Sequence, residues 1–175
     1  MARPTIDQIR QMGDFLTMYR WDVIITGPRA VSGLPNSEKM NFRCETSEVP
    51  KVNGQSMEVN VRGHKIKQPG IYNYDNVITL TFVETTDVVL HTFVKQWREA
   101  LWKTKTGVAA APKNDLMGTI VLRQLDNQDK AVWEYTLTGV YVESYDFGTL
   151  DGASSDTQKP SVTFSYDYFE DKKLA

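Results

Sequence analysis

Apolar and polar residues alternate with a period of two along much of this chain, and one segment carries a clear helical period instead. That segment is 87–104. Leu90, Phe93, Val94, Trp97 and Leu101 recur at i, i+3, i+4, i+7 and i+11, an apolar stripe of the kind that packs on a sheet. Asp87 is the expected N-cap. Glu99 and Lys103 are ordered for an i,i+4 pair. Lys103 and Lys105 suit the C-terminal dipole, and Gly107 is expected to end the helix. A shorter helix is expected over 5–16 from Ile6, Ile9, Met12 and Leu16, weakened in its second half by Gly13-Asp14.

The rest reads as strands and turns. Residues 19–25 are aromatic and β-branched, hence strand-like, and 27–37 is a loop by its Gly, Pro and Asn content. Over 39–47, Met40, Phe42 and Cys44 face one way and Asn41, Arg43, Glu45 and Ser47 the other, the pattern of a half-buried strand. Residues 55–67 alternate again, with Met57, Val59 and Val61 opposite Glu58, Asn60 and Arg62. Over 76–83, Ile78, Leu80 and Phe82 take one face and Thr79 and Thr81 the other. Residues 108–115 form a loop. Strands follow at 118–125, 131–138 and 139–147, the first two joined by a turn at 126–129. A polar loop spans 148–160. The last strand is 161–169, with Val162, Phe164, Tyr166 and Tyr168 opposite Thr163, Ser165 and Asp167, and 170–175 is a charged tail. The sum is seven or eight strands and one strong helix in a single domain, 1–175. Mainly β, it fits an antiparallel β-sandwich or barrel with one flanking α-helix.

Composition narrows the function classes. A chain of 175 residues with 41% hydrophobic and 24% charged residues can bury a core without staples. Its single cysteine, Cys44, excludes an intramolecular disulfide and reads as a small buried apolar residue of a strand. Met1-Ala2-Arg3-Pro4 opens a polar stretch unlike a signal peptide, and no window approaches the ~20 apolar residues of a membrane span. Net charge is −2, unevenly spread: the last arginine is Arg123, and residues 126–175 hold 10 acids against 4 lysines. That imbalance is either chance plus an acidic tail, or the means by which one part of a subunit attracts another part of its neighbour. It lacks the basic face of a nucleic-acid binder.

Catalytic motifs are absent from the sequence. The two histidines, His64 and His91, lie in no zinc-binding spacing, and no nucleophile elbow, P-loop or dinucleotide fingerprint occurs. The acid pairs Asp167/Glu170 and Asp126/Asp129 fall at a strand edge and a turn, where solvated carboxylates are ordinary. No catalytic residue, metal or cofactor is expected. One segment is unusual. Residues 49–74 are long and partly apolar, holding Met57, Val59, Val61, Ile66, Ile71, Tyr72 and Tyr74. They are either a strand pair of the same sandwich or an extended hairpin arm that buries its apolar side on another chain.

The order of these elements resembles the tail tube proteins of contractile-tailed bacteriophages. The pieces that carry the resemblance run along nearly the whole chain: Phe42-Arg43-Cys44-Glu45-Thr46-Ser47-Glu48-Val49-Pro50, the arm from Val59 to Gly70, Val77-Ile78-Thr79-Leu80-Thr81-Phe82, Phe93-Val94-Lys95-Gln96-Trp97, Ile120-Val121-Leu122-Arg123-Gln124-Leu125-Asp126, Tyr135-Thr136-Leu137-Thr138-Gly139-Val140-Tyr141 and Val162-Thr163-Phe164-Ser165-Tyr166-Asp167-Tyr168-Phe169-Glu170. The long 27–37 loop, and Val142-Glu143 where members of that family often carry proline, depart from its pattern on the side expected to face a sheath.

The resemblance implies a subunit of a hollow tube. Six copies would close a ring whose sheets join in one inner barrel, and rings would stack inside a contractile sheath. Implied partners are further copies of the chain, the tail sheath protein outside, a baseplate or initiator and a tail terminator at the ends, and a tape measure protein and then double-stranded DNA in the lumen, without sequence-specific binding. The subunit would be assembled in the host cytoplasm and end in the virion tail, with no membrane insertion of its own. The seven apolar residues of the arm named above would form the subunit interface. Asn41, Glu45, Glu58, Asn60, Thr79 and Thr81 would face the lumen, where a polar or mildly acidic wall lets DNA slide. Arg43 and Arg62 fall in the same polar sets and would pair with Glu45 and Glu58 or face a ring interface. Two other readings stay open. One is the tube or tube-initiator of a related contractile injection or secretion system. The other is a ligand- or carbohydrate-binding sandwich with Tyr72, Tyr74, Trp102 and Trp133 as its platform.

Overall fold

The computed structural model describes residue 3 and residues 5–174. Met1, Ala2 and Pro4 of the opening segment, and Ala175 of the expected tail, lie outside the described residues. Nine strands and four helices are present among the described residues.

The strands form two layers that share one member. β1 (Trp21–Thr26), β6 (Gly118–Leu125), the first half of β7 (Ala131–Asp146) and β9 (Tyr168–Lys173) pair in that order, all antiparallel. The second half of β7 continues into the other layer with β8 (Ser161–Ser165), β5 (Val77–Phe82) and β2 (Cys44–Ser47). The sequence pattern placed two strands, 131–138 and 139–147, where the structure has one. Gly139 stands at the boundary expected between them. It sits at φ 73° and carries the bend by which β7 passes between layers.

The alternating residues meet in one core. Val23, Ile120 and Leu137 of the first layer pack with Ile78, Leu80, Phe82, Val162 and Phe164 of the second, all fully buried. α3 (Val89–Leu101) lays its stripe into the same core through Leu90, Phe93, Val94 and Trp97, with Leu101 at the margin. The Trp97 ring stands edge-on to Phe93 at 5.4 Å and tilted to Phe164 at 5.9 Å. Its Nε1–H donates to the Leu116 carbonyl at 3.0 Å, in α4 (Lys113–Leu116). Where a loop was expected over 108–115, that short helix closes the segment.

Several expectations are corrected. Residues 39–47 do not form one strand. Asn36 accepts from Lys39 N–H at 3.0 Å and starts α2 (Ser37–Arg43), after which β2 is four residues long. In that helix Met40 turns to the core, and Phe42, expected on the same face, is 77% exposed. α1 spans Ile6–Arg10, a capping box between Thr5 and Gln8, and buries nothing. Tyr168 is exposed instead of sharing the Tyr166 face, and the expected charged tail is largely β9. There Lys172 reaches Glu134 at 2.9 Å, and Arg123 reaches the same carboxylate at 2.7 Å. Glu99 bonds Arg98 and Thr104 and not Lys103.

Candidate functional site

Three features of the surface stand out: an arm, a polar sheet face and the two unpaired edges of the second layer. The arm is a separate two-stranded sheet, β3 (Val52–Val61) and β4 (His64–Tyr74). It turns at Arg62 and Gly63, whose φ values of 48° and 82° suit the primed turn of a two-residue hairpin. Every residue from 51 to 75 is exposed. The arm is thus no strand pair of the sandwich.

Its apolar residues are not all on one face. Near the tip, Met57, Val59 and Val61 pair with Gln68, Ile66 and His64. Glu58 and Asn60 pair with Lys67 and Lys65 on the opposite face, where both lysines bond the Glu58 carboxylate. Nearer the base, across a bulge, Gly54 lies opposite Tyr72 and Val52 opposite Tyr74. The Tyr74 ring meets Phe169 edge-on at 5.9 Å, a tie between arm and body. Ile71 falls within the bulged stretch and is 68% exposed.

The polar face belongs to the second layer, opposite its core side. Cross-strand rows place Ser144, Thr163 and Thr79 together, and Asp146, Ser161 and Thr81 together, with Thr46 beyond. The Thr79 and Thr163 hydroxyls are 3.2 Å apart. These rows contain hydroxyls and one carboxylate but no lysine or arginine. Of the residues expected to line a lumen, Thr79 and Thr81 lie here, and Glu45 lies at the neighbouring edge with Lys159 on it at 2.6 Å. The structure does not bring the others to this face. Glu58 and Asn60 are on the arm. Asn41 is in α2, accepting from Val23 N–H at 2.9 Å and donating to Asp22 at 3.0 Å. Arg43 pairs with Asp87 at 2.9 Å and not with Glu45. Sequence reasoning left Ser161, Thr163 and Ser165 out of this face, although their alternation with Val162 and Phe164 was the signal for it.

The edges flank that face. β2 ends the sheet with its outer side unpaired, and β7 beyond Val140 has no partner on the side where β6 began. Cys44, at the β2 edge, is half-buried, and burial pushes its thiol up to about 12, which leaves it unreactive.

One buried carboxylate fixes the end of this layer. α3 begins at Val88 in the left-handed region, φ 47°, without a side-chain cap of its own, so Asp87 is not its N-cap. Glu84 takes that role from a distance, accepting from His91 N–H at 3.0 Å and Leu90 N–H at 3.4 Å. The His91 Nδ1 lies 2.7 Å from Oε2, the same oxygen that accepts from His91 N–H, and the ring stacks on Phe147 at 3.7 Å. Burial opposes ionisation of Glu84, yet the His91 and backbone N–H contacts hold its pKa below the ordinary value. A depressed folded-state pKa stabilises the fold above the unfolded value and loses that contribution as pH falls through it. Glu84→Gln is therefore expected to cost about 1–3 kcal/mol at pH 7. Its deficit against the parent, in urea titrations, should shrink below about pH 4. A deficit independent of pH would assign the effect to packing.

The aromatic platform of the ligand-binding reading does not assemble. Tyr72 and Tyr74 are on the arm, Trp102 follows α3 and Trp133 is in β7 beside Tyr135, with no ring pair among the four in the described residues.

This arrangement has known counterparts. The chain superposes with a TM-score of 0.62 on a structure of an extracellular contractile injection system, the PVC sheath-tube complex in the extended state, at 12% identity over 98% of this chain and 100% of that one. The same score holds for the anti-feeding prophage cap, described as a tube terminating cap, at 12% identity over 93% of each chain. It also holds for the anti-feeding prophage baseplate, at 14% identity over 92% of this chain and 97% of that one. At such identities these likenesses establish a shared fold. No curated protein matches the chain in sequence. The family model of the phage tail tube protein matches residues 18–172, so this chain belongs to the phage tail tube protein family.

Proposed function

We propose that six copies of the chain close a ring, that rings stack into the inner tube of a contractile tail, and that the tube is a conduit for the genome through the host envelope. The role is structural and non-catalytic. The observation that carries this reading is the pair of unpaired edges, β2 and the end of β7, flanking a face whose cross-strand rows are rich in hydroxyls and hold no lysine or arginine, the nearby Lys159 being paired with Glu45 at its edge. Edge-to-edge pairing of such layers closes a barrel and removes a hazard that an isolated sheet would keep. The face inside that barrel then presents Thr79, Thr81, Thr163 and Ser161 to the lumen. A wall without lysine or arginine releases no counterions from DNA and does not hold it. Double-stranded DNA passes, after a tape measure protein, without its sequence being read. Sheath subunits pack outside, and initiator and terminator proteins close the ends. Assembly takes place in the host cytoplasm, and the product resides in the virion tail.

Electron microscopy of the purified, concentrated protein tests this. Hollow tubes or rings with six-fold end views are expected. A monomer at every concentration, with and without a baseplate template, would overturn the reading. The superposition on extracellular injection-system components favours a second reading, a tube or initiator of such a particle. Particles purified from the source would then lack a DNA-filled head.

A further inference from the structure

We infer that the basic tip of the arm docks on the acidic loop 146–156 of a copy in the next ring. This rests on the ring reading above and names the contact by which rings stack.

The two ends of the second layer differ in charge. At the Val77 end of β5, Asp75-Asn76 leads directly into the arm. The arm's strands of 10 and 11 residues carry its tip about 33 Å from that base. The tip holds Arg62, Lys65 and Lys67 against one carboxylate, Glu58. Both lysines already share Glu58, and Arg62 forms no ion pair among the described residues. At the Phe82 end lies the loop. Phe82 N–H donates to the Pro160 carbonyl at 2.8 Å and Glu84 N–H to the Gln158 carbonyl at 3.1 Å. Between 146 and 156 stand Asp146, Asp151 and Asp156 with no lysine or arginine, all three exposed.

Those carboxylates form no ion pair among the described residues. They accept from their own loop, Asp146 from Gly148 N–H at 2.8 Å and Asp151 from Ala153 N–H at 2.9 Å. The loop's root is held as well: Phe147 stacks on His91, and Gln158 Nε2 donates to the Phe147 carbonyl at 2.7 Å. A held loop offers its charge in a set position.

Tip and loop issue from opposite ends of the same layer, so the complement is between molecules. Direction then follows from the sheet. Edge pairing runs across the strands and so around a ring, which leaves the strand ends to face the rings on either side. Each copy donates one arm and receives one, a heterologous contact that repeats without closing and therefore propagates as a stack. Single exposed ion pairs are weak and screened, with a Debye length of about 10 Å at 0.1 M salt. The contact gains from repetition around each ring.

The test inverts each side. One variant carries Glu58→Lys, Arg62→Glu, Lys65→Glu and Lys67→Glu, which keeps the pairing within the arm while reversing its charge. A second carries Asp151→Lys and Asp156→Lys, leaving Asp146 at the end of β7 unchanged. All the altered residues are exposed, and thermal melts verify folding. Each variant alone is expected to form rings but tubes at least tenfold shorter by electron microscopy. Both sets in one chain should restore parental length, and parental tubes should shorten as sodium chloride rises. Normal tubes from either single variant, or no recovery in the combined chain, would overturn the proposal. If the parent itself forms neither rings nor tubes, the ring reading fails, a result distinct from rings that persist without stacking.

Discussion

A chain in which Val52 is joined to Tyr74 through Asn-Gly, deleting the arm between them, is expected to fold, to melt within a few degrees of the parent and to form no tube. The two residues are cross-strand partners, so a two-residue primed turn spans the gap. Every deleted residue is exposed, and no member of the buried core lies in the arm. Little stability is removed with it, while a shortened loop lowers the entropy of the unfolded chain slightly. The loss falls on assembly. The apolar face with Met57, Val59, Val61 and Ile66 is 39–52% exposed in the free subunit. Burying such residues against a neighbour contributes about 25 cal/mol per Å² of apolar area, before association costs. Circular dichroism melts and sedimentation of the concentrated protein would check both halves. Full-length tubes from the armless chain would sink the interface assignment, and an unfolded product would show that the arm supports the body.

Trp97→Ala is expected to act in the opposite way, by removing the fold beneath the assembly. Trp97 is fully buried, touches Phe93 and Phe164 and anchors the Leu116 carbonyl. Its loss leaves a large cavity between α3 and the second layer and an unpaired carbonyl, together about 3–5 kcal/mol. For a domain of this size that lowers the melting temperature by roughly 10 °C, and it takes a large share of a typical stability of about 5–15 kcal/mol. Trp97→Phe should recover part of the packing but not the hydrogen bond. A melt displaced by less than about 2 °C in the alanine variant would contradict this account of the core.

The core was readable where one face of an element meets one environment. The Leu90, Phe93, Val94, Trp97 stripe and the Ile78, Leu80, Phe82 alternation are buried as their periods required. Reading failed where pairing, not hydrophobicity, decides the structure. Met40, Phe42 and Cys44 mimic a strand, but Asn36 caps a helix there and Asn41 is used to hold β1. The charged run Phe169-Glu170-Asp171-Lys172-Lys173 has no apolar alternation, yet it forms β9 because β7 offers it an open edge. Gly139 signals a turn in sequence, and only the second layer tells a bend from a break. The arm was visible as a length of apolar chain with no place in a compact domain. What it packs against is not written in the chain's own alternation. The polar face was half-legible: Thr79 and Thr81 were found, while their neighbours on β8 needed the register.

The shared strand has a mechanical consequence. In a sandwich of two independent sheets, sliding one layer over the other is resisted by interdigitated side chains alone. Here the backbone of β7 runs unbroken from one layer into the other, so a shearing load passes along covalent bonds and two hydrogen-bonded ladders. A conduit thrust lengthwise against a cell surface is loaded in this sense. Its inner wall and outer layer would then advance as one body, with thrust applied outside reaching the channel without slip.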